Sequence, residues 1–140
     1  HALARAVSPA PRPRELDLLV SVAARQACAL CAMAIIDLGR RAVSLTGSQA
    51  GIVTDGAHGK ARLVDVRPWR IERALADGAI VLVAGYQGVS GAHEVTTLGP
   101  GGADATAAAL AAALGGEAVV LGADDLAPPA RVLPVPSERG

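Results

Sequence analysis

The chain has 140 residues, enough for one domain with a core of its own. It is 51% hydrophobic but only 1% aromatic, with Trp69, Tyr86 and no phenylalanine, so a core must be built from Ala, Val, Leu and Ile. Thirteen basic and thirteen acidic residues cancel, which leaves no electrostatic footprint for nucleic acid or an anionic membrane surface.

Pro9, Pro11 and Pro13 make residues 1–13 read as an extended, Pro-rich lead-in. A long helical pattern follows from Arg14 to Leu38, apolar on most faces, with Gly39 as its stop. Such a helix is expected to be buried in the domain or in an oligomer interface. Its longest apolar run, Ala27–Ile36, is flanked by Arg25, Gln26 and Asp37 and falls short of the ~18 residues of a membrane span. Cys28 and Cys31 lie three apart on that helix beside Ile35. Without a second ligand pair they read as small buried hydrophobes, and no metal site is expected.

Ala42–Leu45 reads as a short strand, followed by the polar, glycine-punctuated loop 46–51. Ala61–Val66 is a second strand candidate. Pro68 suits the first turn of a helix ending near Asp77 and Gly78. The apolar run Ala79–Ala84 has the composition of a parallel-sheet strand, broken by residues 85–88. Val95–Leu98 is a further strand. Asp104 reads as the N-cap of an alanine-rich helix through Leu114, and Ala118–Leu121 as one more strand. From Ala127 the prolines argue against regular structure.

Strands alternating with helices predict an α/β fold with a mostly parallel sheet flanked by helices. In such sheets ligands sit beyond the carboxyl ends of the strands. Loops 46–51, 85–88 and 96–104 could converge there. The run Gly99, Pro100, Gly101, Gly102, entering a helix, has the glycine scaffold of a backbone anion cradle. Pro100, Ala103 and Ala105 leave it few polar side chains. Lys60 is the only lysine, which counts against phosphate chemistry. No charged segment followed by an apolar one opens the chain, and a cytoplasmic protein is expected.

Five blocks then carry a resemblance: Arg14-Glu15-Leu16-Asp17-Leu18-Leu19, Leu45-Thr46-Gly47-Ser48-Gln49-Ala50-Gly51, His58-Gly59-Lys60-Ala61-Arg62, Val83-Ala84-Gly85-Tyr86-Gln87-Gly88 and Thr96-Thr97-Leu98-Gly99. In this order, from about Arg14 to Leu121, the chain resembles aspartokinase. The resemblance implies a truncated amino-acid-kinase fold over residues 14–126, with a Pro-rich tail over 127–140. It also shows departures. The family's helix carries a Gly-Glu pair whose glutamate serves the substrate site, where this chain has Ala23 and Ala24. The family's loop arginine, which holds the aspartate carboxylate, is Pro100 here, and its serine is Ala103. The nucleotide segment is shortened to residues 123–131, and the N-terminal strand with the phosphate lysine is not in this sequence.

Phosphoryl transfer depends on positioned cations, so these departures imply a pseudokinase. Three functions follow. The first is a reused substrate pocket acting without a cofactor, as a cyclase, lyase or isomerase of bacterial specialised metabolism. Asp104, Gln87 and Tyr86 would be its catalytic groups, and Thr46, Ser48, Thr96, Thr97, Gly99, Gly101 and Gly102 its ligand-binding groups. The second is a non-catalytic ligand-binding or scaffolding pseudokinase. The third is a genuine aspartate kinase fragment, the only case that needs ATP and Mg. The partners expected are a small molecule and a second copy of the chain, as homodimer or higher oligomer, because truncation would expose sheet edge and apolar surface. His58 and His93 read as solvated loop residues.

Overall fold

The computed structural model describes residues 1–120 and 131–133. Its elements in chain order are α1 (Ala2–Val7), α2 (Pro13–Asp37), β1 (Ala42–Leu45), β2 (Ile52–Thr54), β3 (Leu63–Val66), α3 (Trp69–Ala76), β4 (Ile80–Val83), β5 (Gln87–Ser90), β6 (Val95–Thr97), α4 (Gly102–Leu114), β7 (Ala118–Val120) and β8 (Arg131–Leu133).

The helices start and stop for local reasons. Pro13 opens α2, where its fixed φ suits the first turn and its missing N–H costs nothing. α2 and α3 end alike. Gly39 and Gly78 take positive φ, and the next amide reaches back to close the last turn (Arg40 N to Ile35 O, 3.2 Å; Ala79 N to Ala74 O, 3.0 Å). The lead-in is not wholly extended, because its prolines come late: Ala2–Val7 precedes them and forms α1.

The α/β class is the expected one. Among the described residues, β1–β4 and β2–β5 pair in parallel, with an isolated parallel bridge between Ala61 and Leu98, while β2–β3, β5–β6 and β7–β8 run antiparallel, so the pairing is more mixed than mostly parallel. Strands order as β3-β2-β5-β6 in the four-stranded sheet. Residues 85–88, read as a break, include the start of β5. Gly88 there marks close approach, since a Cβ would lie 2.7 Å from Thr54 Cγ2. The tail, expected to lack regular structure, contains β8. Arg131–Leu133 lies between Pro129 and Pro134, so no proline enters its ladder with β7. The other tail residues and segment 123–130 lie outside the described residues.

The core is aliphatic, as the composition demands. Leu45, Ala50, Ile52 and Ile71 are buried, with Val43, Leu63, Val81, Val83 and Leu110 packed against them. Helix α2 packs on β1, β4 and β6. Of the two settings expected for it, burial within the domain is not met: only Asp17, Ser21 and Ala32 are buried, while Val22, Leu30, Met33 and Ile36 are more than half exposed in the single chain. Among the described residues α2 is the one helix long and apolar enough to cross a membrane. Its inward side is nevertheless polar, with Asp17 and Arg25 hydrogen-bonded into the domain.

Candidate functional site

The most heavily bonded side chain of the domain is one the sequence did not single out. Asp17, on the second turn of α2, is 1% exposed. Its Oδ1 accepts from Thr97 Oγ1 (2.5 Å) and its Oδ2 from His58 Nδ1 (2.7 Å), while Gly59 N–H reaches both oxygens at 3.1 Å. A carboxylate only accepts, so His58 holds its proton on Nδ1. His58 is therefore not a solvated loop residue. It ties the loop after β2 to α2, and through Asp17 to Thr97 of β6. His93 is exposed, in the turn between β5 and β6.

A second strut lies nearby on α2. Gln87 is 1% exposed at the start of β5. Its Oε1 accepts from Arg25 Nε (2.8 Å) and its Nε2 donates to Ser21 O (3.1 Å). Both amide atoms are thus committed to α2. Gly47 abuts the Gln87 backbone, which brings loop 46–51 against β5. Within the loop, Thr46 N donates to Gln49 Oε1 and Gln49 N to Thr46 Oγ1, a reciprocal turn closure. Ser48 is exposed at the turn.

The glycine run has its own geometry. Thr96 is buried and its hydroxyl meets that of Thr54 at 2.5 Å, so Thr96 joins β6 to β2, while Thr97 faces Asp17. The N-cap of α4 is Gly101 at φ 79, with Gly102 N bonded to Gly99 O at 3.0 Å. Asp104 is therefore not the N-cap. The left-handed turn that only glycine takes freely starts the helix earlier, and Asp104 falls in the first turn, where a carboxylate still suits the helix dipole. Gly102 is buried because a Cβ would meet Leu98 Cβ at 2.5 Å and Tyr86 Cδ2 at 2.9 Å. Tyr86 sits at φ 67, a strained setting for a non-glycine residue, and its N–H donates to Thr106 Oγ1 (3.2 Å). Around this run lies a cleft of about 280 Å³, lined by Ala61, Leu63, Leu98, Pro100 and Ala105, with Arg62 its one charged side chain among the described residues.

The structure thus brings the three loops together through Gly47–Gln87 contact and β5–β6 pairing, but it turns Gln87, Thr96 and Thr97 inward. Of the missed residues, Asp17, Ser21, Arg25 and Thr106, the two charged ones had a signal. Asp17 and Arg25 are charges inside an otherwise apolar helix, which must be partnered if they face the domain.

Cys28 and Cys31 are not both buried: Cys28 is half-buried and Cys31 exposed. Among the described residues no cluster of three or more His, Cys, Asp or Glu could hold a metal ion. Burial, and secondarily the neighbouring Cys31, pushes the Cys28 thiol above the ordinary thiol range. Its thiolate therefore forms at higher pH, and N-ethylmaleimide at mildly alkaline pH should modify Cys31 first. Peptide mass spectrometry of a time course checks this order.

Comparison with known proteins gives a consistent answer. Residues 1–125 match the amino acid kinase family. The aspartokinase of Mycobacterium tuberculosis is 57% identical over 116 residues, which cover 82% of this chain and 28% of that protein. The aspartokinase of Mycolicibacterium smegmatis is 59% identical over 113 residues, covering 80% and 27%. Among solved structures, Escherichia coli aspartokinase III in complex with aspartate and ADP aligns with a TM-score of 0.71 at 27% identity, over 82% of this chain and 26% of that one. Aspartate kinase from Synechocystis gives 0.64 at 38% identity, covering 82% and 18%. The chain therefore spans about a quarter of the length of the relatives it matches.

Proposed function

The chain belongs to the amino acid kinase family, as an aspartokinase-like domain, and from that premise we propose that it has lost aspartate phosphorylation and uses its loop framework to hold a small, less polar molecule. The cleft beside Pro100 carries this reading. It is walled by Ala61, Leu63, Leu98, Pro100 and Ala105, and Arg62 is its single charge among the described residues. Phosphoryl transfer needs cations and donors arrayed about the moving group. The residues around loop 99–102 do not fit the charge of a magnesium-bound nucleoside triphosphate. An uncharged or weakly polar molecule loses less on entering such a cleft.

In this reading Asp104, in the first turn of α4, and Tyr86, packed beside Gly102 at the edge of the cleft, move a proton in a cyclisation, elimination or isomerisation. A cytoplasmic homodimer belongs to the same reading, supported by the apolar face that α2 leaves open. Calorimetric titration with Mg-ATP and with aspartate, alongside a coupled ADP-release assay, tests the loss of kinase chemistry. The expected result is neither heat nor ADP above background. ADP release that depends on aspartate would overturn the proposal.

A second reading, the non-catalytic scaffold, is favoured by one observation. Gln87 and Thr97 are each 1% exposed and their polar side-chain atoms bond inside the domain, so these groups hold shape and face away from a ligand. An Asp104→Ala variant separates the two, since it abolishes turnover only if a reaction takes place.

A further inference from the structure

A second cleft, sharing no residue with the one beside Pro100, lies between α2 and the loop after β1. It measures about 100 Å³ and is lined by Arg25, Cys28, Ser44, Leu45, Thr46 and Gln49. That is room for about three waters, so it takes one small polar group and no nucleoside. Arg25 does not hang freely over it. Gln87, itself anchored by Ser21 O, accepts from Arg25 Nε at 2.8 Å and so sets the plane of the guanidinium. One edge of the fork is consumed, and the other N–H groups remain.

The lining is chemically one-sided. Thr46 Oγ1 accepts from Gln49 N–H, which leaves its own proton to donate. Gln49 Oε1 accepts from Thr46 N–H, which leaves its amide nitrogen. Ser44 adds a hydroxyl, and no carboxylate lines the cleft among the described residues. We propose that this cleft is an oxyanion site, in which a carboxylate or phosphate group is held by the Arg25 guanidinium and flanked by Ser44, Thr46 and Gln49. A ligand that only accepts hydrogen bonds matches a wall that mainly donates them, and a planar guanidinium fixed along one edge presents its other edge for paired bonds. The inference is independent of the reading above, because it concerns a different cleft and requires no reaction.

Cys28 lies in the lining and Cys31, one turn on, does not, so the helix carries its own reporter and control. Alkylation with N-ethylmaleimide is followed at each cysteine by peptide mass spectrometry, with succinate, inorganic phosphate or chloride added at matched ionic strength. At about 20 mM, succinate or phosphate should slow Cys28 about fivefold or more while Cys31 keeps its rate. The stronger of the two anions identifies the source as carboxylate or phosphate. Arg25→Gln, shown folded by circular dichroism, should lose the protection. If it does not fold, Arg25→Lys, which keeps the charge but not the fork, should weaken it. The proposal falls if neither anion slows Cys28 beyond chloride, if Cys31 slows equally, or if folded Arg25→Gln is protected like the parent.

Discussion

Asp17→Ala should lower the stability of this domain by about 3–5 kcal/mol, a large share of what a domain of this size has. The substitution removes an acceptor from three donors at once. Thr97 Oγ1, His58 Nδ1 and Gly59 N–H come from β6 and from the loop after β2, and all converge on one carboxylate that is 1% exposed. Water does not reach the site to replace it, so each donor left unpaired costs its own desolvation. Asp17→Asn should lose most of the same amount, because its amide group turns a donor toward donors. His58→Ala should lose less, since that side chain is 21% exposed and water can take its place. Urea unfolding of the three variants at pH 7 checks the order. An Asp17→Ala protein within about 1 kcal/mol of the parent would mean that α2 is not held to the sheet through this carboxylate.

The sequence made the elements with strong punctuation legible. β1 falls on Ala42–Leu45 as read, and α3 stops at Asp77 and Gly78. Three features escaped it, each for a physical reason. The N-cap of α4 looked like Asp104 because aspartate is a favoured cap, but Gly101 takes a left-handed turn that starts the helix earlier. β5 looked like a loop because Gly88 breaks the apolar run, yet that glycine is what lets β5 lie against Thr54. The exposure of α2 was only half legible, because an apolar helix reads the same whether the domain or a partner is expected to cover it. Of the candidate site, the loops were legible from their glycines and threonines. Their inward direction was not, because it depends on Asp17 and Ser21, which lie 41 to 80 residues away from their partners in the chain.

Gly47→Ala should be strongly damaging in the loop that lines the cleft beside Cys28. A Cβ on Gly47 would lie 2.0 Å from Gln87 O and 2.7 Å from Gln87 C. Both are backbone atoms, so no rotamer change relieves the clash, and either β5 or the loop must move. Overpacking of this kind costs about 3 kcal/mol or more when backbone has to shift. The movement has a chemical consequence as well. Gln87 carries the two bonds that fix Ser21 and Arg25 of α2, so displacing it frees the guanidinium and opens the cleft beside Cys28. Thermal melting should therefore fall sharply, and Cys28 should become alkylated faster than in the parent. Gly99→Ala is the matched control. Nothing lies within 4 Å of a Cβ there and its φ is not positive, so its stability should stay within about 1 kcal/mol of the parent or rise slightly as the unfolded chain loses freedom. Should the two variants melt together, the contact between loop 46–51 and β5 would not be carrying load, and the orientation of Arg25 would need another cause.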